Sequence, residues 1–150
     1  MTPEENKVIF RRFVDEVMNG GDLSTVDALF APDFIGHVRL PPAPPMHHED
    51  VKALFGAYHA AFSGFGAAIE ILLAEDDKVV GLLTVRGRHT GPFLGIAPTG
   101  KEVAFRTMDL FRLADGVIAE HWALPDQFGL MQQLGAISRQ SEADAQQKAS

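Results

Sequence analysis

The chain has 150 residues, a formal charge of −7 and no cysteine. That length suits one domain with a single sizeable core. The acidic balance, with 13 scattered basic residues, excludes a nucleic-acid partner, and the missing cysteines exclude disulfides, thiolate nucleophiles and Cys-ligated zinc.

The cysteine-free composition fits a reducing, cytoplasmic setting. The opening MTPEENK is acidic and polar where a signal peptide needs basic residues followed by an apolar run. No apolar stretch approaches the ~20 residues of a membrane helix, so no membrane partner is expected.

In chain order, Thr2, Pro3 and Glu5 predict a capped first helix with a capping box. Its apolar stripe is Ile9, Phe10, Phe13, Val14 and Val17, and Gly20-Gly21 ends it. A shorter helix follows from Asp22, with Leu23, Val26, Leu29 and Phe30 as its stripe and Pro32 as its stop. DFIGHVR reads as a short strand, and LPPAPPMHHED, with four prolines, as a loop or lid. A third helix is predicted over 49–62, with Val51, Leu54, Phe55, Tyr58 and Phe62 on one stripe.

After a turn at Ser63-Gly64 the apolar period changes from the helical to the strand value. AAIEILLAE, KVVGLLTVRGRH, KEVAFRTMDLFRL and VIAEHWAL predict strands, with tight turns at Asp76-Asp77 and Asp115-Gly116 that make antiparallel neighbours. A last short helix is predicted over 126–134, and the tail over 138–150 is polar and loose. The whole is one domain over 1–137. Helices gathered against an antiparallel sheet define an α+β fold. A long twisted sheet with the three N-terminal-half helices across its concave face makes a cone whose interior suits a small molecule.

The segment HTGPFLGIAPTG at 89–100 joins two long strands. Its glycines and prolines set turns, while Phe93, Leu94 and Ile96 need a dry place, over a pocket mouth or in a partner subunit.

Several polar residues carry two readings. Alternation groups Val117, Ala119, His121 and Ala123 on one face, against Ile118, Glu120, Trp122 and Leu124. His121 is then a satisfied core residue or faces a cavity, where an imidazole suits proton exchange. His89 is equally ambiguous, sharing a face with Leu83, Val85 and Gly87. Trp122 and Tyr58 default to packing. Asp109 shares a face with Val103, Phe105, Thr107 and Phe111, where an unpaired carboxylate is costly. It meets a partner such as histidine, points into a wet cavity, or faces solvent. Asp126 follows Pro125 at a good N-cap position. The histidines lack metal-ligand spacing, as His47-His48-Glu49-Asp50 has no i,i+4 pair. No phosphate loop or nucleophile elbow appears.

The block RGRHTGPFLGIAPTGKEVAF, followed by DLFRLADGVIAEHWALPDQFGLMQQLG, resembles the SnoaL-like polyketide cyclases, or ester cyclases, of the nuclear-transport-factor-2-like superfamily. The likeness rests on His89-x-Gly91, Gly95-x-x-Pro98-Thr99-Gly100, Gly116, Glu120-His121-Trp122, Asp126 and Gln133-Leu134-Gly135. His37 also stands where the family commonly has a histidine, and the similarity runs over about 6–137. The resemblance implies a cone-shaped α+β barrel, a homodimer, one pocket per subunit, and no metal or organic cofactor. It also implies ring closure by intramolecular aldol condensation, with the family's acid–base aspartate falling on Asp126.

The function expected on that basis is a cofactor-independent cyclase, lyase or isomerase acting on a small apolar carbonyl compound. Asp126 removes a proton alpha to a carbonyl, the enolate attacks a second carbonyl, and Asp126, His121 or His89 protonates the new alkoxide. His37, Tyr58, Phe93, Asp109 and Trp122 are the expected pocket residues. Orientation alone is worth about 7–11 kcal/mol in such a reaction. The rivals are a non-catalytic ligand-binding domain, an epoxide hydrolase and a steroid-type isomerase. The hydrolase needs an Asp-Arg-Asp cluster, but alternation sets Asp109 opposite Arg106 and Arg112. The isomerase needs a phenol-lined oxyanion site, for which one tyrosine leaves little room.

Overall fold

The computed structural model describes residues 1–38 and 42–137; the expected polar tail and the start of the proline-rich loop lie outside the described residues. Helix α1 spans Pro3–Arg12 and continues as a π-helical stretch over Phe13–Asn19. Its predicted capping box forms, with Thr2 N donating to Glu5 Oε2 at 2.8 Å and Glu5 N to Thr2 Oγ1 at 3.1 Å. Then come α2 (Thr25–Leu29), β1 (Phe30–His37), α3 (His48–Ala61), β2 (Phe62–Glu75), β3 (Lys78–His89), β4 (Glu102–Ala114), β5 (Val117–Pro125) and α4 (Gln127–Gln133).

The strands form one five-stranded sheet in the order β1-β5-β4-β3-β2. The two predicted hairpin turns are present, with Asp76 at φ 52°, Asp115 at φ 51° and Gly116 at φ 81° supplying the left-handed conformations that tight hairpins require. The sheet is not closed into a barrel. Helix α3 contacts both edge strands, β1 and β2, and so spans the open side. This is the expected α+β cone, completed by helices.

Three expectations about the strands need correction. Strand β1 starts at Phe30, earlier than predicted, and runs parallel to β5, because the chain reaches it from the helical layer and not through a hairpin. Pro32 therefore lies within an edge strand, where its missing N–H disrupts the ladder least; the pairing shifts register between Phe30 and Ile35. Ser63-Gly64 is not a turn between elements: β2 already begins at Phe62, and Gly64 at φ 65° sits in a register shift that bends the strand. Beyond it Asn19 stands in for a strand neighbour, accepting from Ala67 N at 2.7 Å and donating to Ala67 O at 3.1 Å.

The third correction places the site. Arg112 pairs with Glu120, but Leu113 pairs with Ile118, so Ala119 is an extra residue in β5. This bulge reverses the alternation. Ile118 and His121 both become buried on the inner face, where simple alternation separates them.

The core lies between the inner sheet face and the helices. Phe10, Phe13, Phe30, Phe34, Phe62 and Phe111 are its largest fully buried members. The 89–100 segment folds over the C-terminal end of α3, with Thr90 N and Gly91 N both donating to Ala61 O. Phe93 enters the core against Tyr58 and Phe62, Ile96 packs beside it, and Leu94 stays exposed at the tip. No helix among the described residues is long and apolar enough to cross a membrane.

Candidate active site

An apolar cavity of about 50 Å³ lies between α3 and the inner sheet face. Its walls include Leu54, Phe55, Phe65 and Phe105, and its polar groups come from Tyr58, Thr107, Asp109 and His121. The volume exceeds the ~10–15 Å³ that one water needs and falls far below the ~300–1,000 Å³ of drug-sized sites. A cavity of this size admits a small fragment.

The sheet register brings two of those polar groups together. Asp109 lies opposite Ala123 and His121 opposite Phe111, so the two are diagonal neighbours on one face. His121 Nε2 stands 3.1 Å from Asp109 Oδ1, and both residues are nearly sealed from solvent, at 6% and 4% exposure. Thr107 Oγ1 makes a longer approach to the same oxygen at 3.5 Å. The His121 ring is wedged edge-on against Phe111, with centroids 4.7 Å apart, and against Phe13 at 6.4 Å. A carboxylate accepting from Nε2–H fixes the tautomer and leaves Nδ1 as the basic nitrogen.

The other expected site residues lie elsewhere. Asp126 is exposed at the N-cap of α4, where Oδ1 accepts from Gly129 N at 2.9 Å; it does not line the cavity. The carboxylate in the chamber wall is that of Asp109, where Asp126 was expected. His89 is fully buried behind Phe62, outside the cavity wall. Its Nδ1 accepts from Thr99 N at 3.2 Å and lies 3.0 Å from Thr99 Oγ1, so it ties the base of the 89–100 segment. Its Nε2 has no partner among the described residues.

His37 and Trp122 stack on the outer sheet face, with centroids 5.1 Å apart. His37 Nε2 is 2.8 Å from Glu120 Oε2, and Glu120 Oε1 accepts from Arg112 Nε at 2.8 Å. His37 first and Arg112 second hold the Glu120 carboxyl below its ordinary pKa. Phe93 reaches the site only indirectly, as a ring stacked on Tyr58. Arg106 and Arg112 also lie on the outer face, paired with Glu70 and Glu120, so among the described residues no Asp-Arg-Asp cluster surrounds Asp109. The single tyrosine, in contrast, does stand in the cavity wall.

One group among the described residues brings possible metal ligands within 4.8 Å of one another: Asp27, His48 and Glu49, away from the cavity. Lys52 Nζ already lies 2.8 Å from Asp27 and 3.7 Å from Glu49. Burial alone lowers the His48 pKa, but the Ala31 carbonyl at 3.1 Å and the Asp27 carboxylate at 2.8 Å outweigh it and raise it. Lys52 and His48 thus flank Asp27, and the cluster reads as a polar network joining α2 to α3.

The cone-like α+β fold thus places a buried Asp–His pair in the wall of an apolar cavity, which makes this the candidate small-molecule site. The profile of the SnoaL-like polyketide cyclase family matches residues 8–134, and the chain belongs to that family. Nogalonic acid methyl ester cyclase of Streptomyces nogalater is 30% identical over 118 residues, covering 78% of this chain and 88% of that protein. Aklanonic acid methyl ester cyclase DauD of Streptomyces sp. (strain C5) is 32% identical over 142 residues, covering 90% and 83%. Among solved structures, AclR of Streptomyces galilaeus, a candidate hydroxylase, superposes with TM-score 0.82 at 26% identity over 91% of this chain and all of its own. TsrD of Streptomyces laurentii gives 0.81 at 27%, covering 91% of this chain and 99% of its own. The family match and the two methyl ester cyclases support a cyclase role in general terms.

Proposed function

We propose that the protein is a cofactor-independent cyclase of small apolar carbonyl compounds, in which Asp109 and His121 take the acid–base role expected of Asp126. The observation that carries this reading is the buried 3.1 Å contact between His121 Nε2 and Asp109 Oδ1 in a mostly apolar wall. Asp109 accepts from Nε2–H and orients the ring, and His121 Nδ1 removes a proton alpha to a carbonyl. The resulting enolate carbon attacks a second carbonyl of the same molecule, forming the ring bond. The imidazolium then returns its proton to the alkoxide. Atoms balance without a co-reactant, and the apolar wall keeps water from quenching the enolate.

Small substrates test the first step directly. In deuterated water the protein is expected to speed hydrogen–deuterium exchange at the alpha carbon of methyl acetoacetate, followed by proton NMR. Nogalonic and aklanonic acid methyl esters, named for the relatives, test ring closure. A pocket that binds these compounds but catalyses neither reaction is a binding domain, and the cyclase reading then fails.

The working unit in this reading is a homodimer paired through the outer sheet face. Two rows of cross-strand partners cover that face: Ile71, Leu82, Met108 and Leu124, then Leu73, Val80, Leu110 and Trp122. Leu73 is 61% and Leu124 79% exposed, so the apolar surface is continuous and open. Arg106 with Glu70 and Arg112 with Glu120 are already paired beside these rows. A second copy therefore meets apolar rows flanked by paired charges, although each chain carries −7. Sedimentation is expected to show a dimer for the natural chain and a monomer for Met108→Lys combined with Leu124→Lys.

A further inference from the structure

Beside the acid–base pair and the Thr107 hydroxyl that approaches Asp109, the cavity has one more polar group. Tyr58 comes off α3, across from the sheet face that carries Asp109 and His121, and lines the same cavity. Its ring is stacked on Phe65 at 5.1 Å and 12° and on Phe93 at 5.7 Å and 28°. Phe55 and Phe62 lean on it at 6.1 Å and 6.5 Å. Four aromatic neighbours hold the ring in one place. Among the described residues the hydroxyl has no hydrogen-bond partner, and its oxygen is not sealed, so it is open to a ligand or to water. Phenylalanine would fill the same space without offering a donor there.

We propose that Tyr58 is a catalytic hydrogen-bond donor, whose phenolic O–H binds the carbonyl oxygen of an enolisable substrate and holds the enolate charge. This rests on the proton-abstraction reading above. As the base takes the alpha proton, the C–H electron pair becomes the new C=C bond, and the carbonyl π pair moves onto the oxygen bonded to Tyr58. Tyr58 keeps its own proton throughout. When the enolate carbon attacks the second carbonyl, the charge leaves that oxygen and C=O re-forms. The phenol must therefore stay protonated at neutral pH. Burial first, and the nearby Asp109 carboxylate second, push its pKa up and keep it so. An uncharged donor fixed in an apolar wall stabilises developing charge without first reorganising solvent.

Tyr58 is the chain's single tyrosine, so growth on 3-fluorotyrosine places fluorine at this residue alone. The probe is acetylacetone, a stable enol. Its addition is expected to move the Tyr58 fluorine resonance and raise the phenol's titration midpoint. A resonance that stays fixed while His121 imidazole signals shift overturns the assignment. In the methyl acetoacetate exchange assay, Tyr58→Phe is expected to cut kcat about 10²–10³-fold, the usual loss of one oxyanion donor, with KM changed only a few-fold. The fluorinated protein, nearly unchanged in shape, is expected to exchange at an altered rate because its phenol is more acidic. Natural rates in both proteins sink the Tyr58 role and leave the Asp109–His121 reading standing. If the natural chain exchanges nothing, that reading fails instead, and the fluorine titration alone decides whether Tyr58 binds an enol.

Discussion

Asp109→Asn is expected to lower alpha-proton exchange by about 10²–10⁴-fold, the range that a positioned acid–base group contributes. Asparagine keeps the shape of the side chain, so the contact with His121 can persist and the fold with it. What changes is the direction of the bond. A carboxylate only accepts, and His121 must then present Nε2–H and keep Nδ1 free. An amide can turn its NH₂ toward Nε2, which moves the imidazole proton to Nδ1 and removes the base. The loss is therefore expected in kcat, with urea unfolding shifted by about 1 kcal/mol, the net worth of one altered hydrogen bond. Asp126→Asn is the matched control. It preserves an N-cap residue type for α4 and is expected to turn over normally. A normal Asp109→Asn protein beside a dead Asp126→Asn protein would return the acid–base role to Asp126.

How this pair arises also shows what the sequence could disclose. Local signals were legible where one or two residues decide the backbone: the Thr2–Glu5 box, the hairpin turns, and the setting of Asp109 opposite Arg106 and Arg112. The face of His121 was not legible, because one inserted residue controls it. Counting back from the Asp115-Gly116 turn without a bulge pairs Asp109 with Trp122 and turns His121 away. Ala119 shifts that count by one and brings His121 to the Asp109 side. Alanine carries no bulge signature. The only hint was chemical: a carboxylate on an apolar face needs a partner, and a histidine two rungs away was available.

His37 and Trp122 illustrate the opposite failure. Both belong to the quoted likeness, yet they stack on the outer face, and the parallel pairing of β1 with β5 that joins them has no local sequence mark. Asp126 had two compatible readings, and the structure supplies the capping geometry while leaving it outside the cavity wall. Tyr58 sat on a helical stripe that reads as packing. Its surroundings are indeed aromatic, but no periodicity reveals that its hydroxyl meets no partner among the described residues.

The largest expected stability effect falls on Phe111. This ring is fully buried and lies 5.0 Å from Phe10, 5.2 Å from Phe13 and 6.2 Å from Phe30. It therefore ties β4 to the first helix and to β1 at once. Phe111→Ala removes a whole ring that three others cannot fully replace, and substitutions of this kind cost about 3–5 kcal/mol. Marginal domains hold only about 5–15 kcal/mol in total, so the urea midpoint should fall by a large fraction of its natural value. Phe128 gives the contrast, since it is 49% exposed and Phe128→Ala should stay within about 0.5 kcal/mol. The same ring also supports chemistry, because Phe111 holds the His121 imidazole edge-on at 4.7 Å. Phe111→Leu, which refills most of the volume, is expected to recover much of the stability while leaving the imidazole less well held. If proton exchange in that variant stays at the natural rate, the aromatic wall supports the fold alone, and the Asp109 hydrogen bond is enough to aim the base.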